Sequence, residues 1–220
     1  MSDVGIMVVA QNISEDIKTR YQECICRSKP SCTWEINYLT ANDPDKKKPF
    51  SKSILLNRGI KALYRKKYKI IIQTDIDLVV PPGIIDKTLE IGRQPKVCFY
   101  NRHYRIDPEK LPKFPEEYDK ADWNMIMKTF PWENANGCWN GMNPESWMAS
   151  GGYNEYMIEW GREDDVFRTT AHSYGGIKFI NYNKFCLIHI NHKQRTKDMR
   201  KHNNAMKNKA DREGIKNWLT

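Results

Sequence analysis

Two aspartates separated by one residue are the first candidates for chemistry in this chain of 220 residues. Asp75 and Asp77 directly follow the apolar run 68–74, whose β-branched residues are typical of a buried strand. Open α/β sheets bind their ligands at the carboxyl ends of strands, which is where this pair lies. Carboxylate oxygens at a bend of the chain suit Mn²⁺ or Mg²⁺. Such a pair can equally cap a turn, so it predicts a metal site only together with other clusters.

A second acidic cluster consists of three consecutive carboxylates at positions 163–165. Acids near a helix N-terminus are favoured by the helix dipole, which is the simplest explanation for them. Trp160 and Gly161 precede the cluster, however, and offer a flat apolar wall and a backbone that a ligand can approach closely. A carboxylate beside a desolvating indole is in the environment of a general base. The cluster is therefore a candidate for proton transfer.

A pair of histidines, His189 and His192, lies at the end of a predicted strand. A lone histidine in an apolar segment is most often a core or surface residue. Here two follow both acidic clusters in one chain of modest length, and a neutral imidazole is a normal ligand of Mn²⁺. We predict that at least one of them binds the metal, and the residues alone leave open which.

These residues must be positioned by alternating strands and helices, which predict an α/β fold with a single mixed, mostly parallel sheet flanked by helices. The predicted strands are 4–10, 34–39, 68–74, 96–101, 137–142, 177–181 and 185–190, and the predicted helices are 14–28, a helix capped by Ser51 or Ser53, 82–91, 143–150 and 163–173. The aromatic-rich segment 102–136 is predicted to be an irregular loop on the acceptor side.

The domain prediction is one catalytic domain, residues 1–192, followed by a basic tail, 193–220, that is helical and packs on it. A mass of 26.0 kDa and a hydrophobic content of 40% fit such a domain with a full core.

Composition also restricts the compartment and the partners. No apolar run approaches the ~20 residues of a membrane span, and the six cysteines form no metal-binding or C-x-x-C spacing. We therefore expect reduced thiols and a cytoplasmic protein. The net charge of +9 favours acidic partners, such as nucleotide phosphates, anionic membranes or nucleic acid, without choosing among them.

Three segments, taken in order, resemble the β-1,4-galactosyltransferase family and related chondroitin-type polymerases, which are metal-dependent glycosyltransferases of the GT-A fold. Residues 50–59, FSKSILLNRG, are similar to the family's FNRAKLLNVG. Residues 75–78, DIDL, are similar to its DVDL, and residues 160–165, WGREDD, to its WGGEDD. Order and approximate spacing agree from about residue 4 to residue 192. Each motif is weak alone, but the ordered set is fairly specific and implies the GT-A fold.

The resemblance implies a metal and nucleotide site. Asp77 would ligate the metal, while Asp75 would hold the ribose or a metal-bound water or ligate the metal itself. One histidine, His189 or His192, would complete the site. The residues assigned to the nucleotide and donor are Phe50 and Lys52, for the uridine and its phosphates, together with Asn57 and Ile76 of the same motifs.

The resemblance also implies the reacting residues. Trp160, Gly161 and Glu163 would frame the donor sugar and the acceptor, and Asp164 would be the base that deprotonates the acceptor hydroxyl. Arg162 stands where the family has glycine, so it is expected to narrow the sugar pocket or to contact an anionic group.

The implied function is transfer of a sugar from a UDP-sugar to an acceptor hydroxyl, with inversion and with Mn²⁺, or Mg²⁺, as cofactor. A divalent ion would stabilise the leaving diphosphate, and an oriented carboxylate would take the acceptor proton. The favoured acceptor is a glycan. A hydroxylated base in DNA is an alternative, motivated by the positive charge. A reading of another class is a non-catalytic protein that binds nucleotide sugars or nucleic acid.

Overall fold

The structure is a computed structural model, and it describes residues 2–11, 13–41, 51–101, 103–106, 108–110, 113–129, 132–133, 137–158, 162–180, 185, 187–190, 200–213 and 217–219. Its strands are β1 (Val4–Gln11), β2 (Trp34–Ala41), β3 (Ile70–Thr74), β4 (Leu78–Val79), β5 (Cys98–Tyr100), β6 (His103–Ile106), β7 (Trp132–Glu133), β8 (Trp139–Met142), β9 (Ile177–Phe179) and β10 (Leu187–Ile190). Its helices are α1 (Glu15–Arg27), α2 (Lys52–Tyr64), α3 (Ile84–Gly92), α4 (Trp123–Thr129), α5 (Pro144–Ser150), α6 (Glu163–Tyr174) and α7 (Arg200–Glu213), with 3₁₀ turns at Pro108–Lys110 and Tyr118–Lys120.

A six-stranded sheet in the order β2-β1-β3-β8-β5-β9 forms the centre of the molecule. β1 runs parallel to both of its neighbours, β9 runs parallel to β5, and β8 is antiparallel to β3 and β5. All five residues of β3 are buried, as expected for a central strand covered on both faces. The α/β class and the mixed central sheet predicted from the sequence are confirmed.

The two faces of this sheet carry separate cores because successive side chains of a strand point to opposite sides. Val4, Ile6 and Val8 pack with residues of α1 and α3, whereas Met7 and Val9 pack with α2, α5 and α6. Helices on both faces therefore hold the sheet, and α2 and α6 lie on the same face.

A stack of three buried aromatic rings fixes α6 against that face. The ring of Phe167 lies 4.7 Å from that of Trp147 and 4.4 Å from that of Tyr153, measured between centroids. The Trp147 indole also donates a hydrogen bond of 3.0 Å to the carbonyl of Ile71 in β3. The first turn of α6, which begins at Glu163, is thereby held near the central strand.

A second, four-stranded sheet in the order β4-β10-β6-β7 was not predicted. β4 and β7 are two residues long, which is too short for a periodic pattern to be recognised in the sequence, whereas β10 falls within the predicted strand 185–190. Two of its strands and α4 fall within segment 102–136, so the prediction of an irregular loop there is wrong for these elements. An acceptor-side role for this segment stays a prediction.

The residues Arg200–Glu213 of the predicted basic tail form helix α7. Its Asn203 is fully buried and contacts the backbone at Ile158. The division of the chain at residue 192 stays a prediction. Among the described helices, none has the length and apolarity that crossing a membrane requires.

Candidate active site

The turn after β3 is held from both sides by backbone hydrogen bonds. The Asp75 amide donates to the carbonyl of Cys138 at 3.1 Å, and the amide of Ile190 donates to the carbonyl of Asp77 at 2.9 Å. β10 pairs antiparallel with β4, which places His189 opposite Leu78. The short second sheet thus brings a histidine more than a hundred positions away to the edge where β3 ends.

Asp75, Asp77 and His189 form a group in which one ligand atom from each residue lies within 4.8 Å of the others. Asp77 Oδ1 and His189 Nε2 are 3.4 Å apart. Neighbouring ligands of an octahedral ion are about 3 Å apart, so small side-chain adjustments suffice for binding. Two carboxylates with one imidazole are a donor set that Mn²⁺ accepts. The residues therefore fit the predicted metal.

Lys52 joins the two acidic clusters. Its ammonium nitrogen lies 3.3 Å from Asp75 Oδ1, 3.2 Å from Glu163 Oε1 and 3.4 Å from Asp164 Oδ2, although only 2% of the side chain is exposed. Burial disfavours its charge, but Asp164, Asp75 and Glu163 outweigh that effect and raise the pKa of Lys52 well above its usual range. The metal-side and α6-side acids therefore share one buried cation.

Asp164 is the carboxylate in this site whose proton affinity departs most clearly from the ordinary. Burial raises the pKa of Asp164 well above its usual range despite the nearby Lys52, and Glu163 and Asp75 add to the effect. Its Oδ2 contacts Lys52, while its buried Oδ1 has no hydrogen-bond partner among the described residues. That oxygen retains its capacity to accept a proton.

Gly137 lies directly against Asp164. A Cβ at this position would overlap the Asp164 carboxyl group, and the backbone φ of +124° is one that glycine adopts without strain. Glycine is therefore required here for the carboxyl group to occupy its place.

Asp165 has a different environment from Asp164. Its Oδ2 lies 2.8 Å from Nη1 of Arg162. Both side chains are more than a third exposed, at 35% for Asp165 and 45% for Arg162. The third acid of the cluster is therefore accounted for by an ion pair at the start of α6 together with the helix dipole. Arg162 itself has a φ of +71°, a conformation that favours glycine.

Asn57 and Ile76, both assigned to the donor from the sequence, are partly or fully buried. The Asn57 side-chain nitrogen donates hydrogen bonds to the carbonyl of Tyr153, at 2.8 Å, and to the Glu155 carboxylate. The Asn57 side-chain oxygen accepts a hydrogen bond of 2.8 Å from the backbone amide of Tyr153. Ile76 packs against the core below the turn. Asn57 thus braces the loop that leads to the third motif, and donor contacts by these two residues stay predictions.

Four other predicted site residues, namely Phe50, Trp160, Gly161 and His192, lie outside the described residues. Their roles stay predictions.

Two residues beside the metal group carried no signal in the sequence. His103 is buried, its ring lies 5.1 Å from that of His189, and its Nδ1 is 2.9 Å from Cys138 Sγ. His103 belongs to β6, which pairs with β10. Because neither residue belongs to a motif, only the pairing of β6 with β10 reveals that His103 lies beside His189.

The comparisons with known proteins bear on the fold. No protein-family model and no curated protein matches the sequence. Among solved structures, the catalytic domain of Drosophila β1,4-galactosyltransferase 7 in complex with xylobiose is similar, with a TM-score of 0.61 and 15% identity over 94% of this chain and 80% of that one. A mutant of the same enzyme with manganese, UDP-Gal and xylobiose has a TM-score of 0.56 and 14% identity, covering 93% of this chain and 79% of that one.

A third similar structure is GalNAc-T7 with UDP, GalNAc and Mn²⁺. Its TM-score is 0.58 and its identity 13%, over 88% of this chain but 44% of that chain. The architecture is thus that of GT-A glycosyltransferases, and the GT-A fold predicted from the sequence is confirmed.

Proposed function

We propose that this protein is a metal-dependent glycosyltransferase that moves a sugar from a UDP-sugar to a hydroxyl group of a glycan. The observation that carries the proposal is the convergence of Asp75, Asp77 and His189 within 4.8 Å at the end of β3. Asp164, a carboxylate suited to proton transfer, is linked to this group through Lys52. Solved structures of the same fold that contain UDP, Mn²⁺ or a disaccharide support the donor, the cofactor and the acceptor class.

The metal site is built by Asp77 and His189, with Asp75 as a third ligand or as the residue that orients a ligand. Bound there, Mn²⁺, or Mg²⁺ in its place, would stabilise the charge that develops on the departing diphosphate. His192 stays an alternative imidazole ligand. Burial raises the pKa of Asp75 and Asp77 adds to this, while Lys52 opposes it. A cation bound beside Asp75 would favour its ionised form in the same way as Lys52 does.

Asp164 is proposed as the general base, acting through Oδ1. The acceptor oxygen forms a bond to the anomeric carbon while the bond from that carbon to the UDP oxygen breaks, and the acceptor proton passes to Asp164. A single displacement of this kind inverts the anomeric configuration. A positioned base of raised pKa accounts for about 10²–10⁴-fold of the rate.

The donor sugar is proposed to lie beside the two acidic clusters, framed by Glu163 and by Trp160 and Gly161 before it. Phe50 is proposed to contact the uridine. A hydroxylated base in DNA as acceptor rests on the net charge of +9 alone, so the glycan is the proposed acceptor.

Release of UDP from a panel of UDP-sugars, with glycan acceptors and with Mn²⁺ or EDTA, tests this function. We expect Mn²⁺-dependent release that Asp77→Ala abolishes and that Asp164→Asn lowers by 10²-fold or more, within the roughly 10²–10⁴-fold contribution of a general base. Asp165→Asn is the matched control, since it changes the neighbouring acid and leaves Asp164 in place.

Turnover that survives both Asp77→Ala and Asp164→Asn would refute the site. Metal-independent binding of UDP without any turnover would instead support a non-catalytic binding protein.

A further inference from the structure

The Lys52 ammonium group has as many N–H donors as it has neighbouring carboxylates. An ammonium group has three N–H donors arranged around one nitrogen, and Lys52 Nζ faces oxygens of three carboxylates at 3.2 to 3.4 Å. These acids come from the turn after β3 and from the first turn of α6, whereas Lys52 is the first residue of α2. Its position is fixed by the Ser51 hydroxyl, which accepts a hydrogen bond of 3.3 Å from the Ile54 amide and thereby caps the helix.

We propose that Lys52 is a positioning residue that ties the metal-side acid Asp75 to the acceptor-side acids Glu163 and Asp164. This inference rests on the proposed function, and it gives Lys52 a different task from the phosphate contact implied by the sequence resemblance. Reaching a phosphate would require the ammonium to leave three carboxylates in a buried site, which would strand their negative charges.

The three contacts of Lys52, here called the Lys52 tether, keep the carboxylates of Asp75, Glu163 and Asp164 close to one another. Without a cation between them, the carboxylates of Asp75, Glu163 and Asp164 repel one another at short range and move apart. A displacement of about 1 Å in a reacting group is enough to cost on the order of 10²-fold in rate. The effect falls on the chemical step, because the tether sets where Asp164 lies relative to the donor.

Arginine is expected to fail in this place. Its guanidinium is a planar fork suited to paired carboxylate or phosphate oxygens, whereas an ammonium is a compact point charge. A residue that only supplied positive charge to a diphosphate would tolerate arginine. A tether between three separate carboxylates would not.

Steady-state kinetics of Lys52→Met and Lys52→Arg separate these roles. We expect kcat to fall roughly 10²-fold in both variants, with the KM for the UDP-sugar changed by less than about threefold. Lys87→Met, which removes a partly exposed lysine paired with Glu90, is the control. A loss confined to the donor KM, or recovery of kcat by arginine, would overturn the tether and restore the phosphate contact.

A double-mutant cycle on urea unfolding gives a readout that needs no activity. Lys52→Met, Asp164→Asn and the double variant are compared without metal, and a cooperative urea transition of each variant reports that it is folded. We expect Asp164→Asn to recover part of the stability lost in Lys52→Met, since it removes one of the repelling charges. Additive changes would overturn the proposal.

If Lys52→Met does not fold, Lys52→Gln, which also lacks the charge, takes its place in the same cycle with the same two outcomes. A wild-type protein without Mn²⁺-dependent UDP release would refute the proposed function, whereas the cycle would still decide whether Lys52 couples to Asp164.

Discussion

Asp164 and Asp165 are neighbours in sequence with separate tasks. Asp165 pairs with Arg162 in a partly exposed position, while Asp164 shares the buried ammonium of Lys52. The difference arises from helix geometry, because successive residues of a helix point about 100° apart. Asp165 therefore stabilises the start of α6, and Asp164 faces the candidate site.

The buried carboxyl group of Asp164 predicts a pH dependence of stability. Burial raises the pKa of Asp164 well above its usual range, so the folded state holds the proton more tightly than the unfolded state. The corresponding stabilisation is complete below the unfolded pKa and is lost as the pH rises through the folded pKa. Asp164→Asn removes this loss, so we expect the variant to gain stability relative to the wild type between pH 4 and pH 8.

Urea unfolding of the wild type, Asp164→Asn and Asp165→Asn across this pH range measures the effect. A stability difference between Asp164→Asn and the wild type that stays constant with pH would show that the pKa is not raised. The Asp165→Asn control is expected to lack the upward trend.

At the level of single residues, the spacing of Asp75 and Asp77, the acids at 163–165 and the histidines at 189 and 192 predict a metal site and a base. The structure brings Asp75, Asp77 and His189 together. The convergence of three carboxylates on Lys52 could not be predicted, because it depends on how α2, β3 and α6 pack, and local sequence patterns carry no information about that packing.

Helix α7 contacts the loop that precedes the third motif. The Asn203 side chain accepts a hydrogen bond of 3.3 Å from the amide of Ile158 and donates one of 3.1 Å to its carbonyl. The backbone amide of Trp218 donates a hydrogen bond of 2.8 Å to the carbonyl of Gly151, at the start of the same loop. The Trp218 ring packs edge-on against Tyr156. The C-terminal elements therefore position the backbone that leads to the site.

Replacing Asn203 with alanine tests this brace. The substitution leaves the partly buried amide and carbonyl of Ile158 without these bonds, so we expect a loss of about 1–3 kcal/mol in the free energy of unfolding. Chemical denaturation measures it, with Asn204→Ala as the control, since Asn204 is the exposed neighbour on the same helix. Equal effects of the two substitutions would contradict the brace.

Among the elements, those with enough residues to show a period were predicted and the shortest were not. β1, α1, α2 and α6 each span at least eight residues and show regular patterning. The two residues of β4 and of β7 show none, although β4 is the strand that pairs with His189. β4, which pairs with β10 beside the end of β3, was thus among the hardest elements to recognise.

At the scale of the whole molecule, the site is assembled from distant parts of the chain. Lys52, Asp75, Asp164 and His189 belong to α2, the end of β3, α6 and β10. The starts of α2 and α6 and the strand β10 lie beside the end of β3, so the site depends on both sheets and on the helices that pack against the central one. Identities of 13–15% to structures of the same architecture agree with a fold retained while most side chains differ.

The net charge of +9 acts at this scale too. It favours encounter with anionic ligands, among them the diphosphate of a nucleotide sugar. The net charge does not select the proposed acceptor, whose selection depends on the shape of the site.

Binding of Mn²⁺, followed by electron paramagnetic resonance with and without UDP, examines the metal site without requiring an acceptor or turnover. We expect one Mn²⁺ to bind the wild type, to bind more tightly when UDP is present, and to be lost from Asp77→Ala and His189→Ala but not from Asp165→Asn. Mn²⁺ that binds both Asp77→Ala and His189→Ala as tightly as the wild type would contradict a metal centre at the end of β3.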